Sequence, residues 1–198
     1  ITIATTRPET ILGDTAVCVH PEDSRYQHII GKKVLVPLIN REIPIVSDDY
    51  IDPEFGTGVL KVTPAHDIND YVIGEKYGLE LISVIDESGL ISPNGQLYIG
   101  EDRFVVRKKI INDIKSLQQL NRVEIIKNKV GFSERTDVVV EPRLSNQWFM
   151  KMDKMVKPAL DNVLNGNINF YPSKIINSYK YWMENIRDWC LSRQLWWG

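Results

Sequence analysis

The chain has 198 residues, 43% of them hydrophobic and 25% charged, and its 24 Lys and Arg against 26 Asp and Glu leave a formal net charge of -2. That composition excludes a disordered, collagen-like or disulfide-stapled chain, and the charge balance excludes the broadly basic surface that grips duplex nucleic acid through many phosphates, though not a local site for a nucleic-acid end. The length suits one domain of about 150 residues plus an appendage.

In chain order, Ile1 to Thr5 reads as the end of a strand and Ala16 to His20 as a strand. Pro21 to Ile30 reads as a helix, with Pro in its first turn and Gly31 just beyond its end. Lys33 to Leu38 and Ile43 to Val46 flank Ile39-Asn40-Arg41-Glu42 and suit a hairpin. A turn with Gly56 and Gly58 leads to a strand from Val59 to Thr63, a helix from about Asp67 to Tyr77 closed by Gly78, and a strand from Leu81 to Ile85. Val106, Ile110, Ile114 and Leu117 fall on one face of an amphipathic helix within residues 101–121. Val123 to Val130 and Val138 to Val140 return to strand character. Near residue 145 the pattern changes, and Trp148 to Leu164 and Ser173 to Leu191 read as helices. The start at Ile1 in mid-strand and the stop at Trp196-Trp197-Gly198 suit a piece of a longer protein.

Some chemistries are disfavoured. Cys18 and Cys190 have no CxxC or Cys/His cluster near them, which argues against a zinc framework and fits a reducing compartment. His20, His28 and His66 lack metal-ligand spacing, and no signature of a covalent nucleophile is present. No apolar run reaches the roughly 18 residues of a membrane span. Any hydrolysis would therefore use a positioned water.

Three groups of residues carry chemical content. In Thr5-Thr6-Arg7-Pro8-Glu9-Thr10, Thr6 and Glu9 have capping-box spacing, and the same residues gather hydroxyls and a guanidinium where free backbone N–H groups favour an anion or oxyanion. In Gly56 to Asp70, Lys61 and Thr63 share a strand face, while Asp67 and Asp70 share a helix face. A Lys, a Thr and two carboxylates thus converge on a strand-to-helix turn, either as a pocket or as an N-cap with a first-turn acid. The third group, Trp189 to Gly198 together with Arg143 to Phe149, clusters tryptophans and arginines, as stacking on nucleic acid or packing in a core would both require.

Four separated strings, TTRPETILGDTAV, FGTGVLKVTPAHDINDY, GFSERTDVVVEPRLSNQWF and NIRDWCLSRQLWWG, occur in order over essentially the whole chain. Together they resemble the editing insertion of the valyl-tRNA synthetases, class I aminoacyl-tRNA synthetases, continuing into the returning half of the catalytic core. The resemblance implies an α+β fold, with a β-barrel-like editing domain and surrounding helices at 1–142 and a helical return segment at 143–198. It implies hydrolysis of threonine wrongly esterified to tRNA(Val), in the cytoplasm, with the tRNA acceptor end and the rest of the parent synthetase as partners. A valine pocket is itself the standard illustration of why such a second sieve is needed, since it rejects the isosteric threonine by only about a hundredfold.

By matching motif positions, Thr5, Thr6, Arg7 and Thr10 resemble the wall that holds the terminal adenosine and the ester, and Lys61 and Thr63 the strand lining the amino-acid pocket. Asp70 resembles the anchor for the substrate's α-ammonium group and Asp67 an acid near its hydroxyl or the water, and these two roles are exchangeable. Editing implies no cofactor, whereas ATP and Mg serve the parent's ligation, whose histidine-glycine and lysine-serine signatures are absent from these residues. The alternatives are an isoleucyl or leucyl relative and a non-catalytic module that docks the tRNA acceptor end.

Overall fold

In a computed structural model, residues 1–193 are described, and they divide into two units, Ile1–Leu144 and the residues from Ser145 onward. Gln194 to Gly198, the end of the tryptophan-rich string, lie outside the described residues.

The first unit is built on a four-stranded sheet. Its strands are β1 (Ala16–Val19), β2 (Lys33–Leu35), β3 (Glu42–Ser47) and β4 (Val59–Val62), in the order β2-β3-β1-β4. β1 runs parallel to β3 and antiparallel to β4, and β2 and β3 form the expected hairpin. All four residues of β1 are buried, because apolar layers cover both faces of the sheet. Val17 and Val19 join Ile11, Leu12, Val84, Ile91, Val106 and Ile110 on one side, while Ala16 and Cys18 meet Val62, Ile51 and Ile73 on the other.

The helices supply these layers. α1 (Ile68–Tyr77) brings Ile73 onto the second face, and α2 (Arg103–Ser116) brings Val106 and Ile110 onto the first, packing against a 3-10 turn at Pro8–Gly13. Asp67 caps α1 by accepting from the N–H groups of Asn69 and Asp70, and Gly78 ends it in the left-handed conformation. Asp102 caps α2 through the N–H groups of Phe104 and Val105. Gly13 sits where the turn meets the core: a Cβ there would lie 2.9 Å from the Ile82 carbonyl oxygen and 3.2 Å from side-chain carbons of Thr63 and Val84. Gly13→Ala is expected to cost about 1–3 kcal/mol of stability by overpacking, measurable by urea unfolding.

Several expectations are corrected. The sheet is open, and no closed barrel occurs among the described residues. Pro21 to Ile30 is a series of turns with a 3-10 turn at Gln27–Ile29. Asp23 diverts the helix: its carboxylate accepts from the Arg25 backbone N–H at 3.0 Å and grips the Arg25 guanidinium, offering the chain a local alternative to helical bonding. Ile1 to Thr5 is not a strand, and Leu81 to Ile85 contributes only an isolated bridge from Ile85 to Ile91. Val123 to Val130 has strand composition but no strand beside it, and its side chains lie exposed, Ile125 fully so. Near Val138 to Val140 a single bridge joins Phe132 to Val139.

The second unit pairs β5 (Phe149–Met150) with β6 (Trp189–Cys190) and packs α3 (Asp153–Leu164) with α4 (Ile175–Glu184). Both helices are shorter than expected, because the residues at the outer ends of the two patterns pair as strands. Among its described residues only Val163 is buried, and Trp148, Tyr181, Trp182 and Trp189 are exposed.

Candidate active site

Lys61 lies opposite Val17 in the sheet, on the face that meets the 3-10 turn. A lysine there is taken out of water and needs partners for each ammonium hydrogen. It finds three: Nζ donates to Thr10 Oγ1 at 2.8 Å, to Thr63 Oγ1 at 2.5 Å and to Asp14 Oδ1 at 3.0 Å. Thr63 Oγ1 in turn donates to Asp14 Oδ1 at 2.6 Å, and Thr10 Oγ1 donates to the Arg7 carbonyl at 3.0 Å. All four side chains are buried. Burial pushes the Asp14 carboxyl up from its ordinary range, opposed by the Lys61 ammonium and the Thr63 hydroxyl.

The sequence reading joins Thr10, Lys61 and Thr63 but misses Asp14, the counter-charge of the cluster. One signal pointed to it. A lysine between apolar strand residues requires a carboxylate, and Asp14 follows directly on the turn that holds Thr10.

Asp70 lies beside this cluster, on the first turn of α1. It is 6% exposed, and its Oδ2 accepts from the Thr63 N–H at 2.8 Å. Among the described residues it forms no ion pair. Burial, opposed by the Thr63 N–H and reinforced by Asp67, raises its pKa to about 6. Asp67 is exposed, and its Oδ1 serves as the cap of α1. The two acids are therefore not equivalent: Asp67 lies at the rim and Asp70 within.

Thr5 and Thr6 are exposed, and the capping box is not formed. Instead Thr5 Oγ1 accepts from the Arg7 N–H at 3.0 Å, and Glu9 turns inward, fully buried, to Arg107 and Arg7. Arg7 is largely engaged by protein. Its Nε donates to Glu9 at 3.3 Å, its Nη1 to the His66 carbonyl at 3.2 Å and its Nη2 to Glu141. His66, at the turn between β4 and α1, accepts the Val84 N–H at Nε2, 2.9 Å away, which leaves Nδ1 as the protonated nitrogen facing the Pro142 carbonyl.

Two wider surface depressions lie elsewhere, one of about 600 Å³ beside Asp23, Arg25 and Pro53 and one of about 380 Å³ beside Leu38, Asp113 and Leu117. In the first, Asp23 and Arg25 already neutralise each other at 2.6 Å. An unpaired buried carboxylate beside a hydroxyl-lined cluster is the stronger chemical signal. Among the described residues no three His, Cys, Asp or Glu side chains are placed to hold a metal ion, and no helix is long and apolar enough to cross a membrane.

The family model described as tRNA synthetases class I (I, L, M and V) matches residues 9–198. The chain belongs to the class I tRNA synthetase family. Among its relatives are valine–tRNA ligases of Parabacteroides distasonis, 58% identical over 99% of this chain, Porphyromonas gingivalis, 56% over 100%, and Carboxydothermus hydrogenoformans, 52% over 100%. This synthetase chain spans only 22–23% of the length of these relatives. Two solved structures are more distant. A ternary complex of LeuRS, tRNA and LeuAMS from Agrobacterium radiobacter K84 has a TM-score of 0.47 and 21% identity over 60% of this chain and 17% of that one. GlLeuRS-CP1 has a TM-score of 0.48 and 14% identity over 64% and 83%.

Proposed function

We propose that the first unit of this chain is the editing site of a valyl-type tRNA synthetase, which hydrolyses the ester of threonine misattached to tRNA(Val). The observation that carries this reading is Asp70, a buried carboxylate with no ion pair among the described residues. Such a group favours an incoming cation, and the α-ammonium group of an aminoacyl ester supplies one. Asp67 at the rim is then the acceptor for the threonine hydroxyl or for the attacking water. A pocket that pairs with that hydroxyl disfavours valine, because its own polar groups stay unpaired when valine enters, at about 1–3 kcal/mol per group.

Thr10, Lys61 and Thr63 form the floor. With its three donors engaged, Lys61 fixes the Thr10 and Thr63 hydroxyls and does not attack the ester. Water is the nucleophile, held by the polar groups of the pocket and a ribose hydroxyl of the terminal adenosine. The backbone and hydroxyl donors of Thr5 and Thr6 meet the developing oxyanion, and Arg7 binds the acceptor end. ATP and magnesium belong to the parent's ligation chemistry, and no residue of this site is assigned to them. The second unit is the return toward the catalytic core of the parent, whose surface would cover its exposed tryptophans. The reading places the protein in the cytoplasm with the rest of the translation machinery.

The test is to incubate the chain with tRNA charged with threonine, valine or isoleucine and to follow each ester. Selective loss of the threonyl ester is expected. Selective loss of the valyl ester assigns the site to an isoleucyl relative instead, and retention of all three overturns hydrolysis in favour of acceptor-end docking.

A further inference from the structure

The ion pairs around Arg7 form a single alternating chain, Arg103–Glu141–Arg7–Glu9–Arg107. Arg103 Nε lies 3.3 Å from Glu141, Arg7 bonds Glu141 and Glu9 on either side, and Arg107 grips Glu9 through two bonds of 2.7 and 2.8 Å. Both ends of this chain sit on α2, one helical turn apart, so the helix closes it into a ring. Glu9 is fully buried, and the Glu141 side chain is 13% exposed. Glu141 belongs to the last segment of the first unit, which is tied down on both sides of it: the Val139 carbonyl accepts from Arg103 at 3.2 Å, and the Pro142 carbonyl faces His66 Nδ1 at 3.4 Å. His66 Nδ1 also lies 3.7 Å from Glu141 itself. Against burial, which alone would raise it, the neighbouring His66 ring and the bond from Arg7 hold the Glu141 carboxyl below its ordinary range.

A guanidinium carries five N–H donors in a rigid plane. Three of those of Arg7 are fixed by Glu9, His66 and Glu141, which come from three separate segments. The plane is thereby locked. Two N–H groups, one on each terminal nitrogen, remain for a ligand, and the Arg7 side chain keeps 27% of its surface open. The ring holds three arginines against two glutamates, one positive charge in excess, which suits an anionic group.

We propose that Glu141 is a positioning residue: it closes the ring and orients Arg7 toward the ester-bearing end of the nucleic acid. The substrate half of this statement rests on the editing reading, and the locking of Arg7 does not.

The test compares wild type with Glu141→Gln, which keeps the shape of the side chain but removes its charge, and with Glu42→Gln, which removes only the exposed Lys33 pair at 3.0 Å. Two readouts are taken on the full chain, the hydrogen exchange of the Arg7 Nη2 protons, which bond Glu141, by NMR and kcat and KM for hydrolysis of threonyl-tRNA. Glu141→Gln is expected to speed exchange at Arg7 and raise KM about tenfold with kcat within about twofold, the size of one charge-assisted hydrogen bond. Glu42→Gln is expected to leave both unchanged, and Glu141→Asp to recover part of the loss. Unchanged Arg7 exchange in Glu141→Gln overturns the proposal. So does an unchanged KM with kcat falling only in proportion to the unfolded fraction. If wild type hydrolyses no ester, the editing reading fails, and Arg7 exchange still decides whether Glu141 locks the guanidinium.

Discussion

Asp70→Asn is expected to lower hydrolysis of threonyl-tRNA by about a hundredfold and, at the same time, to stabilise the fold. The loss follows from removing the buried negative charge proposed to meet the substrate ammonium. The gain follows from burial. Asp70 has a folded pKa of about 6 against an ordinary value of 3.8, so its contribution favours the fold below pH 4 and is lost as pH rises through 6. At pH 7.5 the wild-type carboxylate is ionised in a site that disfavours the charge. An asparagine, able to keep the bond from the Thr63 N–H, avoids that cost and is expected to add on the order of 2 kcal/mol. At pH 4 the two proteins should be equally stable. Urea titrations at the two pH values check this, and equal stabilities at pH 7.5 would show that Asp70 is not strained by burial. The same ionisation governs binding, so wild-type kcat/KM is expected to rise between pH 5 and 7 with a midpoint near 6. A flat profile over that range would remove Asp70 from the ammonium site.

The largest loss of stability is expected at Lys61. Lys61→Met keeps the aliphatic stem but leaves Asp14 buried without its counter-charge and frees the Thr10 and Thr63 hydroxyls of their donor. Breaking a buried ion pair from one side costs about 3–5 kcal/mol, whereas neutralising both sides costs far less. The double variant Lys61→Met with Asp14→Asn is therefore expected to recover most of the loss. Denaturant unfolding of the single and double variants measures the coupling, and a single variant within about 1 kcal/mol of wild type would contradict the cluster's role in holding β4 to the turn.

What was legible in the sequence was local. The cap at Asp67, the left-handed stop at Gly78, the hairpin of β2 and β3, and the common side of Lys61 and Thr63 each follow from spacings of a few residues. The same spacing puts Asp70 on α1, but its lack of a direct ion pair among the described residues depends on what packs around it. The failures share a cause. Spacing alone makes Glu9 a capping-box partner of Thr6, three residues away, yet Arg107, 98 residues along the chain, takes it. Val123 to Val130 has the composition of a strand, but a strand also needs a neighbour, and none is supplied among the described residues. Glu141 and Arg103 carry no local signature at all, since their partners are defined only once α2 lies over the turn at Pro8–Gly13.

The bond from Arg7 to Glu141 spans 134 positions in sequence and joins the beginning of the first unit to its end. A segment whose two ends are pinned side by side occupies almost no length in a longer polypeptide. Its gain or loss there perturbs the flanking chain no more than a short loop would, because loop-closure entropy grows only logarithmically with size and is here already met within the unit.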